Sequence, residues 1–103
     1  MPPQDASLKI LVADDDAVTR TVLKRHFASW GYRTILCKSG TEAWRILRRE
    51  KVPLAVLDWM MPGIQGPELV RKIRSLKNSG YTYLILLSSR SERRDLLTGL
   101  SSG

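Results

Sequence analysis

The chain has 103 residues, enough for one domain, and its 43% hydrophobic and 26% charged residues exclude the disordered and fibrous classes. One cysteine and one histidine exclude a disulfide framework and a multi-cysteine metal site. No apolar run approaches the ~20 residues needed to cross a bilayer, and MPPQDAS at the start has neither the basic nor the hydrophobic segment of a leader, so a cytoplasmic, non-membrane protein is expected.

Residues 1–7 are expected to be a flexible tail. LKILVA (8–13) then reads as a continuous apolar strand. A helix follows from about Ala17 to Trp30, with Val18, Val22, Leu23, Phe27 and Trp30 as its apolar face and Gly31 as its stop. His26 and Arg20 read as solvated residues of that helix. RTILC (33–37) is the second strand, in which Cys37 reads as a small buried hydrophobe and not a nucleophile. Ser39 with Glu42 three residues on is a capping-box pattern, opening a helix whose buried face is Ala43, Ile46 and Leu47.

PLAVLD (53–58) is nearly all apolar, as expected of a parallel strand covered on both faces. After the turn MPGIQG, Pro67 opens a helix running to about Asn78, with Leu69, Val70, Ile73 and Leu76 inward. YTYLILLS (81–88) is the fourth strand, and Ser91 caps a last helix carrying Leu96, Leu97 and Leu100. Trp30 and Trp44 read as helix packing residues. Four strand–helix repeats predict an α/β doubly wound parallel sheet. Such sheets bind ligands at the carboxyl ends of their strands, where the order reverses. Asp14, Asp15 and Asp16 follow strand one, Asp58 ends strand three and Ser88 ends strand four.

Carboxylates gathered at one place raise each other's pKa values, an unfavourable arrangement unless a cation is present. Mg2+ suits the cluster, because it takes oxygen ligands from one or two carboxylates, water and a phosphate. A further carboxylate held beside that ion can attack phosphorus to form an acyl phosphate, and a hydroxyl at the next strand end can bind a phosphoryl oxygen. These four acids are of the ten in the chain, so the rest of the sequence carries 17 basic groups against six acidic ones and the net charge of +7 is segregated. As a nucleic-acid signal that basicity is weak, since the arginines are spread over several helices with no aromatic-rich or basic low-complexity segment.

ILVADDD, LDWMMPGIQG and LILLSS, in this order and at these strand ends, resemble the signature of the receiver domain of two-component response regulators. The resemblance covers nearly the whole chain. It implies a flavodoxin-like fold with strand order 2-1-3-4 and a fifth strand. It implies Asp58 as the phosphoacceptor, charged by a histidine kinase or phosphotransfer protein. It implies Mg2+ held by Asp14, Asp15, Asp58 and the backbone carbonyl of Met60. Ser88 matches the hydroxyl that contacts the phosphoryl group and switches on activation, and Ser89 the small residue beside it. Met61, Pro62 and Gly66 match turn residues of the family's loop, and Asp16 is read as the cap of the first helix. Trp59 either covers nearby apolar surface or restricts water access to the site.

The resemblance places a Lys at the end of a fifth strand, with a fifth helix after it, and the sequence stops at Gly103 just before that point. The expectation is therefore a receiver domain over residues 1–103 with four of the five strands, incomplete at the C-terminus, and with its output domain in a longer parent. Loss of the Lys would weaken phosphorylation, with Arg90 the nearby cation proposed as a partial substitute. An open edge at YLILL predicts a dimer, segment exchange through the fourth strand, or marginal stability. A second reading is an enzyme, because ADDDAV fits the D-x-D-x-V pattern of haloacid-dehalogenase-like phosphatases with Asp14 as nucleophile and Asp16 as acid/base; it leaves Asp58 unexplained. A third is an interaction domain that keeps the fold without the phosphorylation chemistry.

Overall fold

In the computed structural model, residues 9–76 and 82–87 are described. They alternate strand and helix throughout: β1 (Lys9–Ala13), α1 (Ala17–Ser29), β2 (Arg33–Cys37), α2 (Gly40–Arg49), β3 (Leu54–Asp58), α3 (Gly66–Arg74) and β4 (Tyr83–Leu87). The strands form one parallel sheet in the order β2-β1-β3-β4. The chain winds one way from β1 to β2 and the other way through β3 to β4, so the switch point lies between β1 and β3.

Strand periodicity distributes the core over both faces of the sheet. Leu11 and Ala13 of β1 and Ala55 and Leu57 of β3 pack with Ala43 and Leu47 of α2 and Leu69 and Ile73 of α3. The alternate residues Ile10, Val12 and Val56 pack with Leu23 of α1, backed by Phe27 and Tyr32. The two central strands are therefore apolar at consecutive positions, which is why they read as unbroken runs.

The helices start where the caps predict. Asp16 Oδ1 and Oδ2 accept hydrogen bonds from the Val18 and Thr19 amides, both at 3.3 Å. Ser39 Oγ accepts from the Glu42 amide at 3.2 Å, while the Glu42 carboxylate reaches one residue further back than a capping box would, to the Lys38 amide at 2.9 Å. Gly31, at φ +89°, follows α1 in the left-handed region.

The inward face of α1 is rotated from expectation. Val18 is 64% exposed and Trp30, which follows the helix as its C-cap, is 49% exposed, whereas Thr19 and Leu23 are buried. A polar Thr19 can lie inside because its hydroxyl donates to Asp16 Oδ2 at 2.6 Å, so the stripe starts one residue later. Trp30 instead lies edge-on to Phe27 and beside His26, with ring centroids 6.0 Å apart in both cases. Trp44 does pack against the core, as expected. The third helix ends at Arg74 with Ser75 as its C-cap, shorter than the span to Asn78 predicted from sequence; Ser75 Oγ donates to the Lys72 carbonyl and closes the last turn. Among the described residues β4 pairs with β3 alone, and Tyr83 and Ile85 on it are exposed. The tail over 1–7 and the helix expected after Ser91 lie outside the described residues.

Candidate functional site

β1 and β3 are neighbours in register, Ala13 opposite Leu57, so the residues that follow this pair emerge side by side at the switch point. Those residues are Asp14 and Asp58. The Asp14 amide donates to the Cys37 carbonyl at 3.1 Å, continuing the β1–β2 ladder by one residue and fixing the direction of the acid. Its Oδ1 accepts from the Asp16 amide at 2.8 Å, which turns the chain into α1 and leaves Asp15 facing solvent.

Asp58 is held from the other side. The Trp59 amide donates to the Leu87 carbonyl at 2.9 Å, and the Trp59 carbonyl accepts from the Gly66 amide at 2.8 Å, tying the end of β3 to β4 and to the start of α3. Asp58 Oδ1 lies 3.4 Å from the Met60 amide, which donates to it. A β-carbon on Gly66 would come within 2.9 Å of both the Asp58 carbonyl oxygen and Trp59 Cα, and 2.8 Å from a Leu86 methyl. The loop can pass this close to the acid only with glycine there.

One carboxylate oxygen from each of Asp14, Asp15 and Asp58 lies within 4.8 Å of the others. Asp14 and Asp58 are 2% and 6% exposed, so two of the three charges are largely withdrawn from water. Like charges so placed favour a bound cation, and an all-oxygen set with an open side toward solvent fits a hard divalent ion such as Mg2+ and not a soft metal. Met60, whose carbonyl was expected to join this set, is on the same loop and is 68% exposed. Trp59 beside it is half-exposed.

Ser88, Ser89 and Arg90 lie outside the described residues. Asp16 is engaged as the α1 cap. Arg20, read from sequence as solvated, instead donates from its guanidinium to the Asp14 carbonyl at 2.8 Å, reaching back from α1 to brace the acidic loop. Nothing in the local pattern marks that contact, because it spans six residues across a cap; only the position of Arg20 one turn into a helix that starts at the acids hints at it. Cys37 is buried as expected, and desolvation, aided by the nearby Glu42 carboxylate, pushes its thiol up to about 12. Burial and the raised pKa both disfavour the thiolate that a nucleophile needs.

A doubly wound parallel sheet with three carboxylates gathered across its switch point defines a flavodoxin-like α/β domain with an acidic pocket. A sequence model of the response regulator receiver domain matches residues 10–103, and the chain belongs to that family of two-component signalling proteins. It is 38% identical over 94 residues to the transcriptional regulatory protein AfsQ1 of Streptomyces coelicolor, covering 91% of this chain and 40% of that protein. It is 32% identical over 98 residues to a chemotaxis protein CheY homologue of Campylobacter jejuni, covering 93% of this chain and 75% of that one. The chain thus spans less than half the length of the first of these relatives.

Its fold superposes with a TM-score of 0.76, at 28% identity over 93% of this chain and 79% of the other, on the receiver domain of the sensor histidine kinase PA1611 of Pseudomonas aeruginosa, whose crystal structure has a magnesium ion coordinated in the active-site cleft. Family membership sets aside the phosphatase reading, and the use of Asp16 as a helix cap agrees.

Proposed function

We propose that residues 1–103 act as the phosphoacceptor module of a cytoplasmic two-component pathway, in which Asp58 takes a phosphoryl group from a histidine kinase or a phosphotransfer protein and thereby controls an output domain. The observation that carries this reading is the meeting of Asp14, Asp15 and Asp58 within 4.8 Å in a chain of the receiver family.

Asp14, Asp15 and Asp58, with the Met60 carbonyl, would hold Mg2+, which when bound offsets the charge of the carboxylates and of an incoming phosphoryl group. In the transfer, an Asp58 carboxylate oxygen forms a bond to phosphorus as the P–N bond to the donor imidazole breaks. The imidazole nitrogen keeps the electron pair, and Asp58 becomes an acyl phosphate. The amide of Met60, already turned to Asp58 Oδ1, holds the carboxylate in position for that attack. Ser88 would contact the phosphoryl oxygens and report its presence, with the small Ser89 beside it leaving room. Hydrolysis of the acyl phosphate by water returns Asp58 and inorganic phosphate.

The test is intact mass under mild conditions after incubation with Mg2+ and acetyl phosphate. One added phosphoryl group is expected on the native chain, none on Asp58→Asn, and a slower gain on Asp14→Asn, which loses a metal ligand but keeps the acceptor. Modification that persists in Asp58→Asn would sink the assignment of the acceptor, and no modification under any condition would favour an interaction domain that keeps only the fold.

A further inference from the structure

Among the described residues, Asp14, Asp15 and Asp58 lie at the carboxyl end of the sheet, and a group of cations lies at its amino end. Helices α2 and α3 begin at the acidic end and run back, so their last turns lie beside the amino ends of the strands. Those last turns carry Arg48 and Arg49 on α2, and Arg71, Lys72 and Arg74 on α3. Lys9 and Arg33, paired in register, open β1 and β2 at the same end. Residues 38–51 and 66–76 together hold eight basic groups against Glu42, Glu50 and Glu68. Two of these acids are already engaged: Glu50 pairs with Lys9 at 2.9 Å, and Glu42 accepts from the Lys38 amide.

Although 24 positions apart in the sequence, Arg48 and Lys72 converge in space. Both helices cover the same face of the sheet, and they meet at Trp44. The Arg48 guanidinium lies 5.3 Å from the Trp44 ring centroid and the Lys72 ammonium, from the neighbouring helix, 5.5 Å from it. The indole thus draws a cation from each helix to one place, which compensates part of their mutual repulsion. Basic residues at helix C-termini also complement the helix dipole, but that effect does not require cations of two helices to meet over one ring.

The face lacks what a protein partner would need. Among the described residues none of the exposed large apolar side chains belongs to α2 or α3; they are on α1, β2, β4 and the loops. Protein interfaces draw most of their affinity from buried apolar and aromatic anchors, whereas phosphate backbones are bound by cations alone. Arginine also matches phosphate oxygens with paired donors.

We propose that the α2–α3 face, centred on Arg48 and Lys72 at Trp44 and extended by Arg49 and Arg71 in the same last turns, binds the phosphodiester backbone of a nucleic acid without reading its sequence. The acidic pocket, at the opposite end, is left clear. The proposal does not depend on the phosphoacceptor reading.

The experiment is fluorescence anisotropy of the full chain with a short labelled duplex DNA of mixed sequence, its single strand, and labelled polyglutamate, across a salt series. Neutralising four phosphates gives a log–log slope of about −3.6 on duplex, so affinity should fall on the order of 100-fold between about 50 and 200 mM salt. Arg48→Gln with Arg71→Gln should lower affinity at least tenfold and flatten the slope by roughly two. Lys24→Gln with Arg25→Gln, on the far face, should change it less than twofold, and Asp58→Asn should not weaken it. Circular dichroism checks that each variant is folded. The proposal is overturned if the low-salt protein binds neither nucleic acid, if polyglutamate binds as tightly as DNA, or if the folded Arg48→Gln, Arg71→Gln variant binds like the native chain.

Discussion

Gly66 shows how one missing carbon shapes the pocket. Its amide holds the Trp59 carbonyl, and its bare α-carbon lets α3 start against the Asp58–Trp59 peptide. Gly66→Ala would push that peptide by several tenths of an ångström, and with it the carboxylate proposed here as the phosphoacceptor. Misplacement by about 1 Å costs on the order of 100-fold in rate, so the acetyl-phosphate reaction of Gly66→Ala should slow by at least tenfold while its far-ultraviolet spectrum stays native. An unchanged rate would show that the loop absorbs the added methyl group without moving Asp58. The same scale explains Arg20. Its role in bracing the Asp14 carbonyl was not legible because an arginine at an outward-reading helical position gives no sign of which way its long stem turns.

At the scale of elements, the β1–α1 junction carries two tasks in three consecutive acids. Asp14, and the solvent-exposed Asp15 beside it, each bring a carboxylate oxygen to the acidic cluster, whereas Asp16 takes two amides and the Thr19 hydroxyl. Asp16→Ala should therefore cost about 1 kcal/mol, or roughly 4–8 °C in melting temperature, with phosphoryl incorporation at Asp58 retained. Loss of incorporation without loss of stability would mean that Asp16 belongs to the chemistry after all. The same cap is why the buried stripe of α1 departs from its apolar pattern. Once the Thr19 hydroxyl is satisfied, packing prefers Thr19 and Leu23 inward and leaves Val18 in water. Strand and cap positions were readable because they rest on local periodicity and short-range hydrogen bonds, and α2, with Ala43 and Leu47 buried as expected, shows the local rule holding.

For the whole molecule the controlling feature is charge. A cluster of three carboxylates, two of them buried, would couple metal binding to folding on the proposed reading, since a cation bound only by the native pocket stabilises it by mass action. At Mg2+ a hundredfold above its dissociation constant the gain is about 2.7 kcal/mol. The melting temperature of the native chain should rise with added Mg2+ and fall back with chelator, and Asp14→Asn with Asp15→Asn should remove most of that dependence. A melting curve indifferent to Mg2+ in the native chain would argue against the cation pocket itself.

Sequence alone determined the alternation of strand and helix, the parallel sheet, the caps at Asp16 and Ser39, and the acids at the strand ends, because each is written in residue spacing and in groups that satisfy their near neighbours. Tertiary structure alone decided which charges meet. Asp14 and Asp58 stand 44 positions apart and come together only because β1 pairs with β3 in that register. Arg48 and Lys72 likewise converge on Trp44 only because α2 and α3 share a face. Local pattern reports which face of an element is buried; the distance between charges on different elements is set by the packing of the sheet.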